Sequence, residues 1–109
     1  MKPWEIYSYQ IPGLREPHPA VVLGHIDRVA NKPQVNILLC TTQRTGRPTL
    51  AHEVLLNGAD GLDWETLCKC DLVHVVEKAQ LKQRRGQVCI ERRRQIAAKV
   101  LQGLGLAGL

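Results

Sequence analysis

Pro17-His18-Pro19 is the first stretch in which residue type and spacing suggest chemistry. A proline on each side fixes the backbone around the imidazole, which suits a positioned proton carrier and equally suits a rigid turn. An unperturbed imidazole has a pKa of about 6.5, so it is well fitted to exchange protons near neutrality. Cys68-Lys69-Cys70 raises a second possibility, because residues two apart on a strand share a face. Zinc sites, however, separate their cysteines by roughly two to four residues. Here one residue intervenes, and the remaining cysteines, Cys40 and Cys89, form no second close pair. The pair therefore reads as small buried core residues, with no metal and no cofactor expected. A third group is the loop "RTGRPTLA", which carries Arg44 and Arg47 directly after a long apolar segment.

The charge points to an anionic partner. The chain of 109 residues has a formal net charge of +5 and a pI near 9.3, which favours nucleic acid or an acidic protein segment. Lys78, Lys82, Arg84, Arg85, Arg92, Arg93, Arg94 and Lys99 crowd one stretch opposed by Glu91 alone. That stretch reads either as a solvated helix face or as a surface turned toward phosphate or an acidic peptide. No apolar run approaches the ~20 residues of a membrane span and the N-terminus resembles no secretory signal. A cytoplasmic chain with reduced thiols and no membrane association is expected.

The elements that must position these groups are mostly strands. At this length one domain over residues 1–109 is expected, and pairing with a second copy would extend a small core. "WEIYSYQ" is rich in β-formers, "IPGLREPHP" must be a loop, and "AVVLG" has the short apolar run of a buried strand. "QVNILLCTTQ" is the longest strand candidate. "HEVLL" alternates, "NGADG" turns, and "ETLCKCDLVHVVEK" supplies one bent strand or two consecutive ones. "GQVCI" would add a last short strand. Ile96, Val100 and Leu101 then recur at helical spacing, with Arg92 to Arg94 in the first turns and Gly103 and Gly105 at the end. Cations at a helix start are mildly unfavourable, which hints at a use for them. The expected fold is mainly β (α+β): a small, strongly bent barrel with a C-terminal helix.

Five segments, in order, resemble the PemK/MazF family of toxin–antitoxin ribonucleases. "WEIYSYQIPG" is similar to the family's opening Gly-(Glu/Asp)-Ile-Trp and loop, and "HPAVVLG" to its Arg-Pro-Ala-Val-Val-Leu-Ser. "LLCTTQ" resembles Pro-(Cys/Ile/Val)-Thr-(Thr/Ala/Ser)-Gln, and "HEVLL" the strand that follows. "LCKCDLVHVVEKAQLKQRRG" resembles Arg-Cys-Asp-Gln-(Ile/Val)-Arg-Thr-(Ile/Val)-Asp-Lys-X-Arg-Leu. The resemblance runs from Trp4 to Leu104. It implies an SH3-like barrel of the PemK/MazF/CcdB type, a homodimer, and single-stranded RNA bound along the dimer interface. It also implies a growth-inhibiting toxin neutralised by a cognate antitoxin whose disordered, acidic tail folds on binding.

Metal-independent RNA cleavage requires a base for the 2′-hydroxyl, donors for the phosphorane and an acid for the leaving 5′-oxygen. Through the resemblance, Thr41 falls at the family threonine, where its hydroxyl and nearby amides would donate to a phosphate oxygen, with Gln43 as a companion. Asp71 falls at the aspartate of the Arg-Cys-Asp form, the base in that subgroup, with Lys69 in the arginine's place. On a strand Lys69 and Asp71 share a face and would flank one phosphate, or form an ordinary surface pair. Glu5 matches the acidic residue near the family's start. His18 stands where the family has an arginine regarded as catalytic. Either it replaces that arginine as acid or base, or the cation is lost and the scaffold only binds, with Arg15 on the same loop in partial compensation. The loop from Gln10 to His18 lacks the common Glu-Gln-X-Gly, and Leu72 and His74 replace the family's glutamine and arginine. The catalytic candidates are His18, Thr41, Asp71 and Lys69. The binding candidates are Glu5, Arg15, Gln43, Arg44 and Arg47, and Thr41, Asp71 and His18 are expected to converge on a single RNA linkage. The competing reading is a non-catalytic module of the same fold that binds nucleic acid or a protein target such as gyrase.

Overall fold

A computed structural model describes residues 1–43 and 46–109. Strands β1 (Glu5–Tyr9), β2 (His18–Leu23), β3 (Gln34–Thr42), β4 (Glu53–Leu56), β5 (Thr66–Lys69), β6 (His74–Glu77) and β7 (Leu81–Gln87) pair antiparallel. A short helix α1 (Ile26–Asn31) joins β2 to β3, and helix α2 (Ile90–Gly103) ends the fold. The strand order is β4-β5-β3-β2-β1-β7, with β6 also on β3. Central β3 is long because it serves two partners on one edge, β6 along Gln34–Ile37 and β5 along Cys40–Thr42.

Alternation along the strands divides the interior in two. Ile6, Val21, Leu38 and Cys40 face one way and pack with Val54, Leu56, Cys68, Cys70, Val88 and α2 residue Ile96. Tyr9, Ala20, Val22, Val35 and Ile37 face the other way, with Val29 of α1 and Val76 of β6. The fully buried "AVV" of β2 is the run of a strand covered on both faces. Cys40, Cys68 and Cys70 are core residues, Cys40 opposite Cys68 across the β3–β5 ladder.

The expected barrel is not closed: β4 and β7 end the strand path without pairing to each other. A polar clasp stands in the gap. Asp60, in the 3-10 turn after β4, is buried and accepts from the amide of Cys89 after β7 at 2.9 Å. It also accepts from Asn57 N at 3.0 Å and from Arg92 Nη1 of α2 at 2.6 Å. β7 approaches this turn so closely that a Cβ on Gly86 would lie 2.1 Å from the Asp60 carbonyl oxygen. Only glycine fits there.

Two elements differ from expectation. The last strand is the basic "LKQRRGQ" rather than "GQVCI": β7 borders only β1, most of its side chains are exposed, and no apolar alternation marks it. α1 has Val29 as its one buried residue and is capped by His25 Nδ1, which accepts from Asp27 N at 3.2 Å. The segment 66–77 takes the second of its two expected arrangements, consecutive strands with a bend between them.

Candidate functional site

His18 and Thr41 lie at the same end of the sheet, on neighbouring strands. Tyr9 pairs with His18 across β1–β2, and Ala20 pairs with Leu39 across β2–β3. That ladder ends at Ala20 and Leu39, and His18 and Thr41 each lie two residues beyond it, Thr41 pairing on its other edge with Leu67 of β5. Cross-strand neighbours lie about 5 Å apart at Cβ and point to the same face. Tyr9, His18 and Thr41 thus make a row only in the sense that they lie at the same end of three neighbouring strands. Tyr9 is buried, while His18 and Thr41 are half-exposed and neither side chain has a hydrogen-bond partner among the described residues. An imidazole that gives and takes protons and a hydroxyl that donates can therefore face one ligand atom group. Arg15 is exposed on the loop that leads into β2. Gln43 follows β3, but its side chain donates to Arg47 O at 3.0 Å and its amide to Glu65 O at 2.9 Å, so it fastens the loop.

Asp71 is not part of this row, which corrects the expected convergence. Thr41 pairs with Leu67 of β5, and Asp71 follows four residues later. Asp71 is two residues past the end of β5, at a bend in the chain. Asp71 instead lies by His52 Nε2 at 4.0 Å, under the end of α2, where a Cβ on Gly103 would be 3.0 Å from the Asp71 Cα.

Lys69 and Arg47 are likewise redirected, by Glu53. This carboxylate is fully buried, and the Arg47 guanidinium grips it with two bonds of 2.9 Å. Lys69 Nζ and the Leu50 amide, the latter at 2.9 Å, also donate to it, and Lys99 Nζ of α2 donates to Glu53 O at 2.9 Å. The Arg47 hydrogen bonds, opposed by burial and reinforced by Lys69 and Leu50, hold the Glu53 carboxyl far below the usual range. A charge must be paired to be buried, so Arg47 and Lys69 are committed to Glu53. Glu5 is committed too, at the far end of β1. It accepts from Arg84 Nε at 2.7 Å, Lys2 N at 2.5 Å and the Tyr7 hydroxyl at 3.3 Å. Burial pushes its carboxyl up, but those donors, led by Arg84, bring it net below the ordinary value. Arg44 lies outside the described residues.

The basic stretch does structural work. Beyond Arg84 and Arg92, Arg93 Nε donates to Val88 O at 2.9 Å and Lys99 ties α2 to β4. The cations at the start of α2 are tolerable because Asp60 stands beside them. Lys82 and Arg94 are exposed.

On the reverse face of the same strand ends is a cavity of about 310 Å³ lined by Glu16, Pro17, Pro19, Thr42, Trp64 and Arg85. Pro19 and Thr42 each neighbour a residue of the His18–Thr41 row in sequence, and so point the opposite way. Arg85 Nη1 donates to Ser8 Oγ at 3.3 Å, and Trp64 is 57% exposed. Sequence reasoning passed over Trp64 and took Arg85 only as one of the cations of the basic stretch. The available signal was a lone tryptophan between two acidic residues, Asp63 and Glu65, where burial is disfavoured on both sides.

Residues 2–104 match the family described as PemK-like, MazF-like toxin of type II toxin-antitoxin system. The chain belongs to the PemK/MazF toxin family. Solved structures agree on the fold. A Mycobacterium tuberculosis toxin, MazF-mt6, superposes with a TM-score of 0.78 at 20% identity, over 94% of this chain and 97% of that one. An endoribonuclease from a mycobacterial species gives 0.82 at 18% identity, over 100% and 95%. An endoribonuclease in complex with its cognate antitoxin, also mycobacterial, gives 0.79 at 16%, over 100% and 97%. No curated protein matches at the sequence level. Among the described residues no helix is long and apolar enough to cross a membrane, and no group of three or more His, Cys, Asp or Glu could hold a metal ion. In this PemK/MazF chain, His18 and Thr41 lie at the same end of the sheet, and neither side chain has a hydrogen-bond partner among the described residues.

Proposed function

We propose that this chain is the toxin of a type II toxin–antitoxin pair and a metal-independent endoribonuclease acting on single-stranded RNA. The observation that carries the reading is the His18–Thr41 row: two side chains able to move a proton and to donate to a phosphate, at the same end of neighbouring strands and without a hydrogen-bond partner among the described residues. In the reaction, His18 takes the proton of a 2′-hydroxyl as that oxygen bonds to the adjacent phosphorus. Thr41 Oγ1 donates to a non-bridging oxygen as charge builds on the phosphorane. The bond to the 5′-oxygen breaks, that oxygen takes a proton from water, and the products are a 2′,3′-cyclic phosphate and a 5′-hydroxyl. Selectivity for RNA follows from the 2′-hydroxyl itself. Asp71, Lys69, Arg47 and Glu5 are assigned no step in this chain's site, since each is distant or paired.

The working form is a cytoplasmic homodimer neutralised by an acidic antitoxin segment, for which the net charge of +5 and the antitoxin complex of a structural neighbour are the support. The test is incubation of labelled single-stranded RNA with pure protein and excess chelator. Cleavage that persists in chelator and is lost in H18A and T41A supports the reading. Intact RNA with the wild-type protein contradicts it and favours a non-catalytic binding module.

A further inference from the structure

The cavity behind the His18–Thr41 row has a composition that an apolar small-molecule pocket lacks. Its walls are Pro17, Pro19, Thr42 and Glu16, with an exposed tryptophan and an arginine. Isolated exposed tryptophans cost burial energy, and Trp64 keeps more than half its surface in water. Arg85 is half-buried and uses Nη1 on Ser8 Oγ, one of the five N–H donors a guanidinium carries. The volume, about 310 Å³, is at the small end of the range for ligand pockets. It suits one nucleotide unit.

We infer that this cavity is a nucleotide subsite, in which Trp64 stacks one base of the bound RNA and Arg85 holds the adjoining phosphate. The inference rests on the endoribonuclease reading and extends it to a second face. His18, Pro19, Thr41 and Thr42 sit at strand ends, so an RNA strand rounding that end meets the row on one face and the cavity on the other. Stacking on an aromatic ring paired with a cation is how single strands are gripped without a base code. Because Glu16 supplies a carboxylate to the same wall, the phosphate belongs at the Arg85 side and not within the cavity.

The experiment uses the full chain and a short single-stranded RNA carrying 2′-O-methyl groups, which binds but cannot be cut. In W4F, Trp64 is the only tryptophan, and its emission is expected to be quenched saturably by this RNA. Independently, with Trp4 retained, W64A is expected to weaken binding of the labelled RNA about tenfold. R85Q is expected to reduce the slope of log affinity against log salt by about 0.7, the value for one phosphate contact on a single strand. If unmodified RNA is cut while W64A and R85Q bind like wild type, the subsite is wrong and the nuclease reading stands. If a polyglutamate peptide quenches Trp64 and the RNA does not, the cavity is a peptide site and the subsite is overturned. If RNA is neither bound nor cut, both readings fail together.

Discussion

A guanidinium can donate to a phosphate but does not readily give up a proton, whereas an imidazole can do both. With His18 where the family arginine stands, the pair formed with Thr41 combines a proton carrier with a hydroxyl donor. Each contributes to the same step, so H18A and T41A are each expected to lower the rate constant for RNA cleavage by about a hundredfold or more. D71N is expected to lower it far less than either, because Asp71 lies past the end of β5, beside His52. A single-turnover cleavage series over the three variants measures all of this. The motif order along the chain made His18 and Thr41 legible as candidates, and their place at one end of the sheet follows from the antiparallel run of neighbouring strands. What the sequence did not reveal was commitment. Arg47 and Lys69 look free for phosphate in a linear reading, yet Glu53, a residue with no chemical signature, is buried between them.

Among the elements, the opening in the barrel depends on Asp60. Three donors from two separate segments, Asn57 on one side and Cys89 and Arg92 on the other, converge on a carboxylate with no exposed surface. Removing it strands Arg92 and the Cys89 amide, so D60A is expected to cost about 3 kcal/mol of unfolding free energy in urea titrations. G86A tests the same junction from the other strand. Its added carbon has no room before the Asp60 carbonyl, and the variant is expected to lose at least 2 kcal/mol or so, well beyond the intrinsic effect of glycine in a strand. Helix α2 was legible from its apolar spacing, with Ile96 buried as that spacing implies. β7 was not, since a strand at the end of the sheet with polar side chains carries no period of two. The clasp was invisible for a related reason: "NGADG" reads as a turn whether or not its aspartate reaches across to another element.

At the scale of the whole molecule, burial of Glu53 couples stability to pH. Its folded-state pKa lies below the unfolded value of about 4.3, so the unfolded chain binds the proton first as pH falls. The stabilisation is full above that value and is lost as pH drops from there toward the lower folded-state pKa. Thermal unfolding followed between about pH 6 and 2 is expected to show a steeper decline for wild type than for E53Q, which also starts lower because Arg47 and Lys69 lose their anion. Light scattering is expected to give a mass twice that of the 12.2 kDa chain. The decisive measurement is mass spectrometry of the products from single-stranded RNA incubated in chelator with wild type, H18A and T41A. Fragments ending in 2′,3′-cyclic phosphate from wild type, and almost none from either variant, are expected. Fragments of that kind formed equally well by both variants, or no fragments from wild type, would contradict a centre built on His18 and Thr41.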